Sequence, residues 1–269
     1  MKRWIVWILS LLLLLTLCAC GQPQQTEQTG RQGENPQTDE QNPSREPEEP
    51  AFDPLVPESE AVSADWFQDA AFVGDSVSVM LEMCNSSSGR LGSPAFFCSV
   101  SLSQQNAMAY AAGDERLPEY PKGSGQHPRV EDGVAASGAK KVYVMLGMNC
   151  IAGGVDRACQ DLVTLIDEIL AKSPQAAILV ESVTPMTASS PRADGSLNNE
   201  TIGAFNAGMM EICQERGWYF VNVAEAVSDE NGFLRDEYSG DQAMGIHFNY
   251  NGGEVWTDYL LTHVPEALK

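Results

Sequence analysis

The sequence predicts an α/β fold in which two layers of helices enclose a parallel sheet of five strands. Short apolar segments recur along residues 61–269 without polar alternation, which is typical of strands that are buried on both faces. Longer segments between them carry apolar side chains at helical spacing. Alternating strands and helices of this kind favour a parallel sheet, so the predicted class is a three-layer α/β/α sandwich.

Local signals support the individual elements. The segment 141–146 is almost entirely apolar and stops at Gly147, whereas residues 155–172 repeat leucine and isoleucine at helical spacing until Ser173-Pro174 ends the pattern. A helix is predicted directly after Ser76. The other predicted helices are residues 104–112, 130–137, 155–172, 200–216 and 253–263, and the predicted strands are residues 71–73, 95–100, 141–146, 177–180 and 218–223.

The beginning of the chain has the pattern of an export signal. A basic start precedes an apolar run over residues 4–17, which is too short for a typical spanning helix. The next residues complete a Leu-Cys-Ala-Cys sequence that ends at Cys20 and resembles the lipobox of bacterial lipoproteins. The resemblance implies cleavage of residues 1–19 and a lipid on the Cys20 sulfur. We therefore expect an extracytoplasmic protein that this N-terminal lipid anchors to the bacterial cell membrane.

The segment after the predicted signal has a different composition. Residues 20–60 are rich in Gln, Glu, Pro, Asn and Thr and contain few large apolar side chains. Such a segment buries too little surface to offset the entropy lost on ordering, so we expect a disordered acidic tether. Residues 61–269 are long enough to form one domain with a complete core.

The charge of the chain limits its partners. The formal net charge is −21, which argues against binding to nucleic acid or other polyanions. No glycine-rich phosphate loop or cluster of metal ligands occurs in the sequence. We therefore expect no nucleic-acid partner, no cofactor and no metal, and we expect the protein to be a monomer.

Cysteines beyond the export signal do not form a recognisable framework. They are odd in number and include no C-x-x-C pair, which argues against both a zinc site and a complete set of disulfides. Pairing of Cys84 with Cys98, or of Cys150 with Cys159, stays open. The simpler interpretation of most of them is as small buried hydrophobic side chains, and the set is Cys84, Cys98, Cys150, Cys159 and Cys213.

The most suggestive polar residue is Ser76, in the Gly74-Asp75-Ser76 break between a predicted strand and a predicted helix. Its hydroxyl would lie at the carboxyl end of a strand, where open α/β sheets bind their ligands. Its own N–H would lie in the first helical turn, where amide donors have no intrahelical partner. Ser76 is therefore a candidate nucleophile, although a serine at this place more often only caps a helix.

Polar residues follow other strand ends in the same way: Ser101, Asn149, and His247 before the last helix. With Gly74-Asp75-Ser76, these short motifs resemble, in order, those of the SGNH hydrolases, also called the GDSL esterase and lipase family. The resemblance covers nearly all of the predicted domain. It implies a flavodoxin-like fold and removal of acyl groups, often acetyl, from sugars, lipids or thioesters.

The resemblance also implies roles for these residues. Ser76 would be the nucleophile and His247 the base that takes the hydroxyl proton and returns it to the leaving alcohol. The oxyanion would be held by the N–H of Ser76, the N–H of Ser101 and the side-chain amide of Asn149.

This chain departs from the family pattern at three positions. Ser101 stands where the family usually has glycine, and Cys150 follows Asn149 where aspartate is usual. Met244 occupies the position three residues before His247 that normally carries an aspartate. Methionine cannot orient an imidazolium. Three alternatives stay open: Asp241 supplies the carboxylate, a backbone carbonyl orients the histidine, or activity is lost.

These observations lead to a functional hypothesis with two alternatives. The first is an exported, lipid-anchored serine esterase that removes O-acyl groups, acetyl in particular, from cell-surface or environmental glycans. The second is a catalytically silent lipoprotein of the same fold that binds glycan or cell-wall material. The third is an acyltransferase, in which a sugar hydroxyl rather than water receives the acyl group.

Overall fold

The computed structural model describes residues 52–190 and 195–269. Within them, five parallel strands form one sheet, as the sequence predicts, and their order in it is β2-β1-β3-β4-β5. In register, Val73 of β1 pairs with Phe97 of β2 on one side and Val144 of β3 on the other. The strands are β1 (Ala70–Gly74), β2 (Ala95–Cys98), β3 (Lys141–Met145), β4 (Ala177–Glu181) and β5 (Tyr219–Val221).

Helices connect the strands and cover both faces of the sheet. They are α1 (Ser76–Ser88), α2 (Gln104–Ala109), α3 (Val130–Ser137), α4 (Val155–Lys172), α5 (Asn199–Arg216), α6 (Val223–Val227) and α7 (Tyr250–Thr262). The sequence did not predict α6, because its five residues are too few to show helical periodicity. It also placed the start of the last helix three residues late, because Asn249 rather than a glycine caps α7.

Each face of the sheet has its own apolar core. One core joins the sheet to α3, α4 and α5, and includes Val134, Ile166 and Phe205. The other joins it to α1, α6 and α7, and includes Leu81 and Trp256. The result is the predicted three-layer, flavodoxin-like sandwich. The chain reverses its direction across the sheet between β1 and β3, which is where such folds open a crevice for ligands.

The folded part begins before the predicted boundary at residue 61. Val56 is buried, and its N–H donates to the carbonyl of Phe220 in β5 at 3.0 Å. Leu55 forms a parallel bridge with the same residue. Residues 54–56 therefore cover the β5 edge. The sequence did not predict this contact, because only two apolar residues make it and the surrounding segment is rich in Pro and Glu. The predicted signal, Cys20 and the rest of the tether lie outside the described residues.

Two other sequence-based questions concern cysteines and membrane spans. The cysteines from Cys84 to Cys213 are all free thiols, so neither Cys84–Cys98 nor Cys150–Cys159 is paired. Burial raises the pKa of Cys150 to about 12, consistent with the core packing that the sequence favoured. Among the helices that the structure describes, none has the length and apolarity needed to cross a bilayer.

Candidate active site

Ser76 is the first residue of α1, directly after β1 ends. Asp75 caps the helix, because its Oδ1 accepts from the N–H of Val77 at 2.9 Å. This cap fixes the strand-to-helix turn and leaves the Ser76 hydroxyl half-buried at the carboxyl edge of the sheet. The Ser76 N–H, at the first helical position, has no intrahelical acceptor and is free to donate to a ligand.

His247 lies opposite Ser76, just before α7. Its Nε2 is 3.0 Å from Ser76 Oγ. The backbone on both sides is fixed, since the His247 carbonyl accepts from the N–H of Gly240 and Phe248 forms a bridge with Ser239. Ser76 and His247 are 171 residues apart in the sequence, and the packing of α1 against α7 in one core brings them together.

Asp241 provides the carboxylate on the other side of the imidazole. Its Oδ2 lies 2.7 Å from His247 Nδ1. Partial burial raises the pKa of Asp241, but the hydrogen bond from His247 and those from the Met244 and Ala243 N–H groups outweigh it, so the pKa is below its usual value. An ionised carboxylate only accepts hydrogen bonds, so Nδ1 carries the proton and Nε2 is left to accept from Ser76.

A tight turn lets Asp241 replace the carboxylate that is missing at Met244. Asp241 Oδ1 accepts from the Met244 N–H at 3.0 Å, and its carbonyl accepts from the Gly245 N–H at 2.6 Å. Met244 itself packs against the apolar core. Gly245 has a φ of +69°, and a side chain there would place its Cβ 2.2 Å from Thr187 Oγ1. The glycine therefore permits both the turn and its close packing against the loop after β4.

Ser101 has an unusual backbone for a residue other than glycine. Its φ is +62°, in a turn closed by a 3.1 Å hydrogen bond from the Leu102 N–H to the Ser99 carbonyl. This conformation favours glycine, the residue that the family resemblance leads one to expect there, since a side chain costs about 1 kcal/mol in the left-handed region. The Asn106 side chain supports the turn by donating to the Ser101 carbonyl at 2.8 Å. Within the described residues the Ser101 N–H has no hydrogen-bond acceptor, so it remains available to a ligand.

Asn149 follows β3 and joins the other two predicted oxyanion donors. Its Nδ2 donates to the Leu102 carbonyl at 3.0 Å and, over a longer 3.3 Å, to Asp75 Oδ2. It therefore links the residue after Ser101 to the residue before Ser76. Both amide hydrogens are engaged here, so an oxyanion would have to displace or share the longer contact.

Asp75 is a buried carboxyl group that sequence analysis did not single out for the site. Burial raises its pKa to about 6, against smaller opposing effects of the Val77 N–H and of His247. It orients both the first turn of α1 and the Asn149 amide. The signal for it was present, because an aspartate before a helix start is a common cap; only its second contact, to β3, needed the tertiary structure.

Cys150, the remaining departure from the family pattern, is a core residue. Its side chain is buried in the core with α4, and its Sγ is 3.5 Å from the Gly147 carbonyl. It therefore points away from the serine. In the part of the chain that the structure describes, no group of three or more His, Cys, Asp or Glu side chains is placed to hold a metal ion.

Comparison with known proteins agrees with this geometry. Residues 72–255 match the family model described as the GDSL-like Lipase/Acylhydrolase family. A Bacteroides fragilis NCTC 9343 structure described as an acylhydrolase aligns with a TM-score of 0.58 and 16% identity over 80% of this chain and 92% of that chain. A GDSL-like lipase from Bacteroides thetaiotaomicron VPI-5482 aligns with a TM-score of 0.54 and 16% identity over 73% and 87%. No curated protein matches the sequence.

Proposed function

This chain belongs to the GDSL-like lipase/acylhydrolase family and is a hydrolase of ester bonds, and from this premise we propose that it is an exported, lipid-anchored serine esterase that removes acetyl groups from glycans. The observation that carries the catalytic part is the continuous series of contacts from Ser76 Oγ through His247 to Asp241, at 3.0 and 2.7 Å. Export and anchoring are supported by the basic and apolar start of the chain and by Cys20.

The first half of the reaction follows from these contacts. Ser76 Oγ attacks the ester carbonyl carbon and gives its proton to His247 Nε2, while the carbonyl electrons move to the oxygen. The imidazolium that forms is stabilised by the Asp241 carboxylate at Nδ1. When the tetrahedral intermediate collapses, the bond to the alcohol oxygen breaks and that oxygen takes the proton from Nε2. The acyl group is then an ester of Ser76.

Water completes the cycle. His247 Nε2 accepts a proton as the water oxygen attacks the acyl carbon, and it returns that proton to Ser76 Oγ when the carboxylic acid leaves. Both tetrahedral intermediates carry a negative oxygen beside the Ser76 and Ser101 N–H groups. Asn149 joins them if its amide turns from Asp75 toward the substrate. Loss of one such donor typically costs about 10²–10³ in turnover.

The proposal is tested with Ser76→Ala on p-nitrophenyl acetate. We expect turnover to fall by about 10³ or more, since only the oxyanion donors remain. A fluorophosphonate probe should label the native protein at Ser76 and leave the variant unlabelled. Ser78→Ala is the control, because this neighbouring serine is buried in α1, whereas the hydroxyl 3.0 Å from His247 Nε2 is that of Ser76.

The silent-lipoprotein alternative predicts a different result. Its main support was the missing carboxylate at Met244, and Asp241 fills that place. A folded native protein that neither cleaves the acetate nor reacts with the probe would favour it and contradict the esterase proposal.

A further inference from the structure

A groove along α1 takes no part in the mechanism above. It has a volume of about 340 Å³ and opens to solvent. Its lining, which we call the α1 groove, consists of Val79, Glu82, Met83, Ser86, Ser87, Lys122 and Tyr250. Because α1 rises about 5.4 Å per turn, the groove starts one turn from Ser76 and continues for about two more.

The apolar part of the α1 groove is exposed to an unusual degree. Tyr250 has 48% of its surface exposed and Met83 46%, which places both among the few large hydrophobic side chains exposed in the described residues. The helices that carry them are tightly packed, since a Cβ on Gly253 would lie 2.3 Å from Cys84 Sγ. The tyrosine and methionine are therefore held on a rigid support and remain open to a ligand.

The rest of the groove lining is polar. Lys122 Nζ donates to Glu82 Oε1 at 2.6 Å and has two further N–H donors. The hydroxyls of Ser86 and Ser87 donate to the helix carbonyls of Glu82 and Met83, at 2.8 and 3.1 Å. Each hydroxyl oxygen keeps lone pairs that can accept from a ligand. The groove thus combines an aromatic ring and a thioether with charged and hydroxyl groups.

The position of the groove identifies which part of an ester it would receive. Two of the three oxyanion donors, the Ser101 N–H and the Asn149 amide, lie toward Leu102 and β3, whereas the proton for the leaving alcohol comes from His247 Nε2. Tyr250 follows His247 by three residues, in the first turn of α7. The groove is therefore on the side of the alcohol portion.

From this arrangement we infer that the α1 groove binds the saccharide that carries the acyl group, with the sugar against Tyr250 and Met83 and its hydroxyls toward Ser86, Ser87 and the Glu82–Lys122 pair. The inference rests on the esterase function proposed above. A sugar ring presents apolar C–H faces and a rim of hydroxyls, which matches the mixed apolar and polar lining of the groove. A long acyl chain would instead bury the charged pair without replacing its water, which is unfavourable.

The test compares three ester probes on the full chain: p-nitrophenyl acetate, p-nitrophenyl octanoate and acetylated xylo-oligosaccharides. For Tyr250→Ala we expect kcat/KM on the acetylated saccharide to fall at least tenfold, chiefly through KM. The loss on p-nitrophenyl acetate should be smaller, because its alcohol portion does not extend along the groove. Met83→Ala should act in the same direction, and Tyr250→Phe should keep most of the activity because it keeps the ring.

The matched control is Met210→Ala, since this methionine is 39% exposed on α5, across the sheet from α1. A selective loss on the octanoate ester in Tyr250→Ala would show that the groove takes the acyl chain and would overturn the inference. Equal loss on all three probes, no loss, or a native protein that cleaves p-nitrophenyl acetate but not the acetylated saccharide would also overturn it. A native protein that cleaves no ester would instead contradict the proposed function.

Discussion

At the scale of single residues, the carboxylate that faces His247 comes from a position three residues earlier than the family pattern indicates. The imidazole requires an acceptor at Nδ1, and any carboxylate within 2.7 Å provides it whatever its place in the chain. Met244 keeps the turn through its N–H, which donates to Asp241 Oδ1. The Met244 backbone thus helps to hold Asp241, while the Met244 side chain packs against the core.

This substitution of one carboxylate for another gives a prediction. Asp241→Asn keeps the size of the side chain but presents an amide that does not stabilise the imidazolium. We expect kcat on p-nitrophenyl acetate to fall by about 10²–10⁴ with the fold intact by circular dichroism. Asp236→Asn, a change at an exposed aspartate of the preceding turn, should have no effect. Full activity in Asp241→Asn would mean that another group orients His247.

At the scale of elements, a second acidic side chain, that of Glu181, is buried at the carboxyl end of the sheet. Glu181 ends β4 in register with Val221 and is only 3% exposed. Its Oε1 and the nearby Trp256 Nε1 are buried without a hydrogen bond of normal geometry to any described residue. Burial raises the pKa of Glu181 to about 8, against a smaller opposing effect of the Trp256 indole. The side chain is therefore protonated at neutral pH, because its ionised form would be poorly solvated there.

The raised pKa of Glu181 predicts how stability depends on pH. The native state keeps the proton up to about pH 8, whereas the unfolded state loses it near the ordinary value of 4.5. The contribution of Glu181 to the free energy of unfolding therefore falls as pH rises between these values, and the loss is complete above about pH 8. The free energy of unfolding of Glu181→Gln, measured relative to that of the native chain, should therefore rise by on the order of 3 kcal/mol between pH 5 and pH 9.

Urea unfolding at pH 5 and pH 9 measures this difference. Glu211→Gln is the matched control, because this glutamate is exposed on α5 and its pH response should follow that of the native chain. If Glu181→Gln and the native chain respond equally to pH, the acid is not buried in the manner described.

At the scale of the whole molecule, the predicted export signal and the catalytic domain depend on different features of the sequence. The predicted signal and Cys20 are recognised by composition and a short motif, and they lie outside the described residues. The domain requires residues from 54 to 264 to pack on one sheet. The proposed function on a surface-bound glycan would require both parts, since the enzyme must be placed where its substrate is.

The anchoring part is tested by Cys20→Ser. Without the sulfur there is no attachment point for the lipid, so we expect the protein to move from the membrane fraction to the soluble fraction of a bacterial host that processes lipoproteins. The esterase activity per molecule should not change. Radiolabelled palmitate should enter the native chain and not the variant. Membrane association of Cys20→Ser equal to that of the native chain would contradict the lipid anchor.

The sequence by itself determined the fold class and the succession of strands and helices along the chain. It also determined the candidates Ser76, Ser101, Asn149 and His247. These depend on local properties, namely apolar runs, helical spacing and short motifs at strand ends, which are readable without contacts. The late start predicted for α7 and the unpredicted α6 arose where the local signal was weak. Leu55 and Val56 were assigned to the tether for the same reason.

Only the tertiary structure decided which of the open alternatives holds at His247. Sequence distance does not say whether Asp241 or a carbonyl reaches Nδ1, because that depends on a turn closed by Gly245 and packed on Thr187. The second contact of Asp75, the burial of Glu181 and the α1 groove likewise arise from elements distant in the chain. Local chemistry selects the groups, and packing sets the distances at which they act.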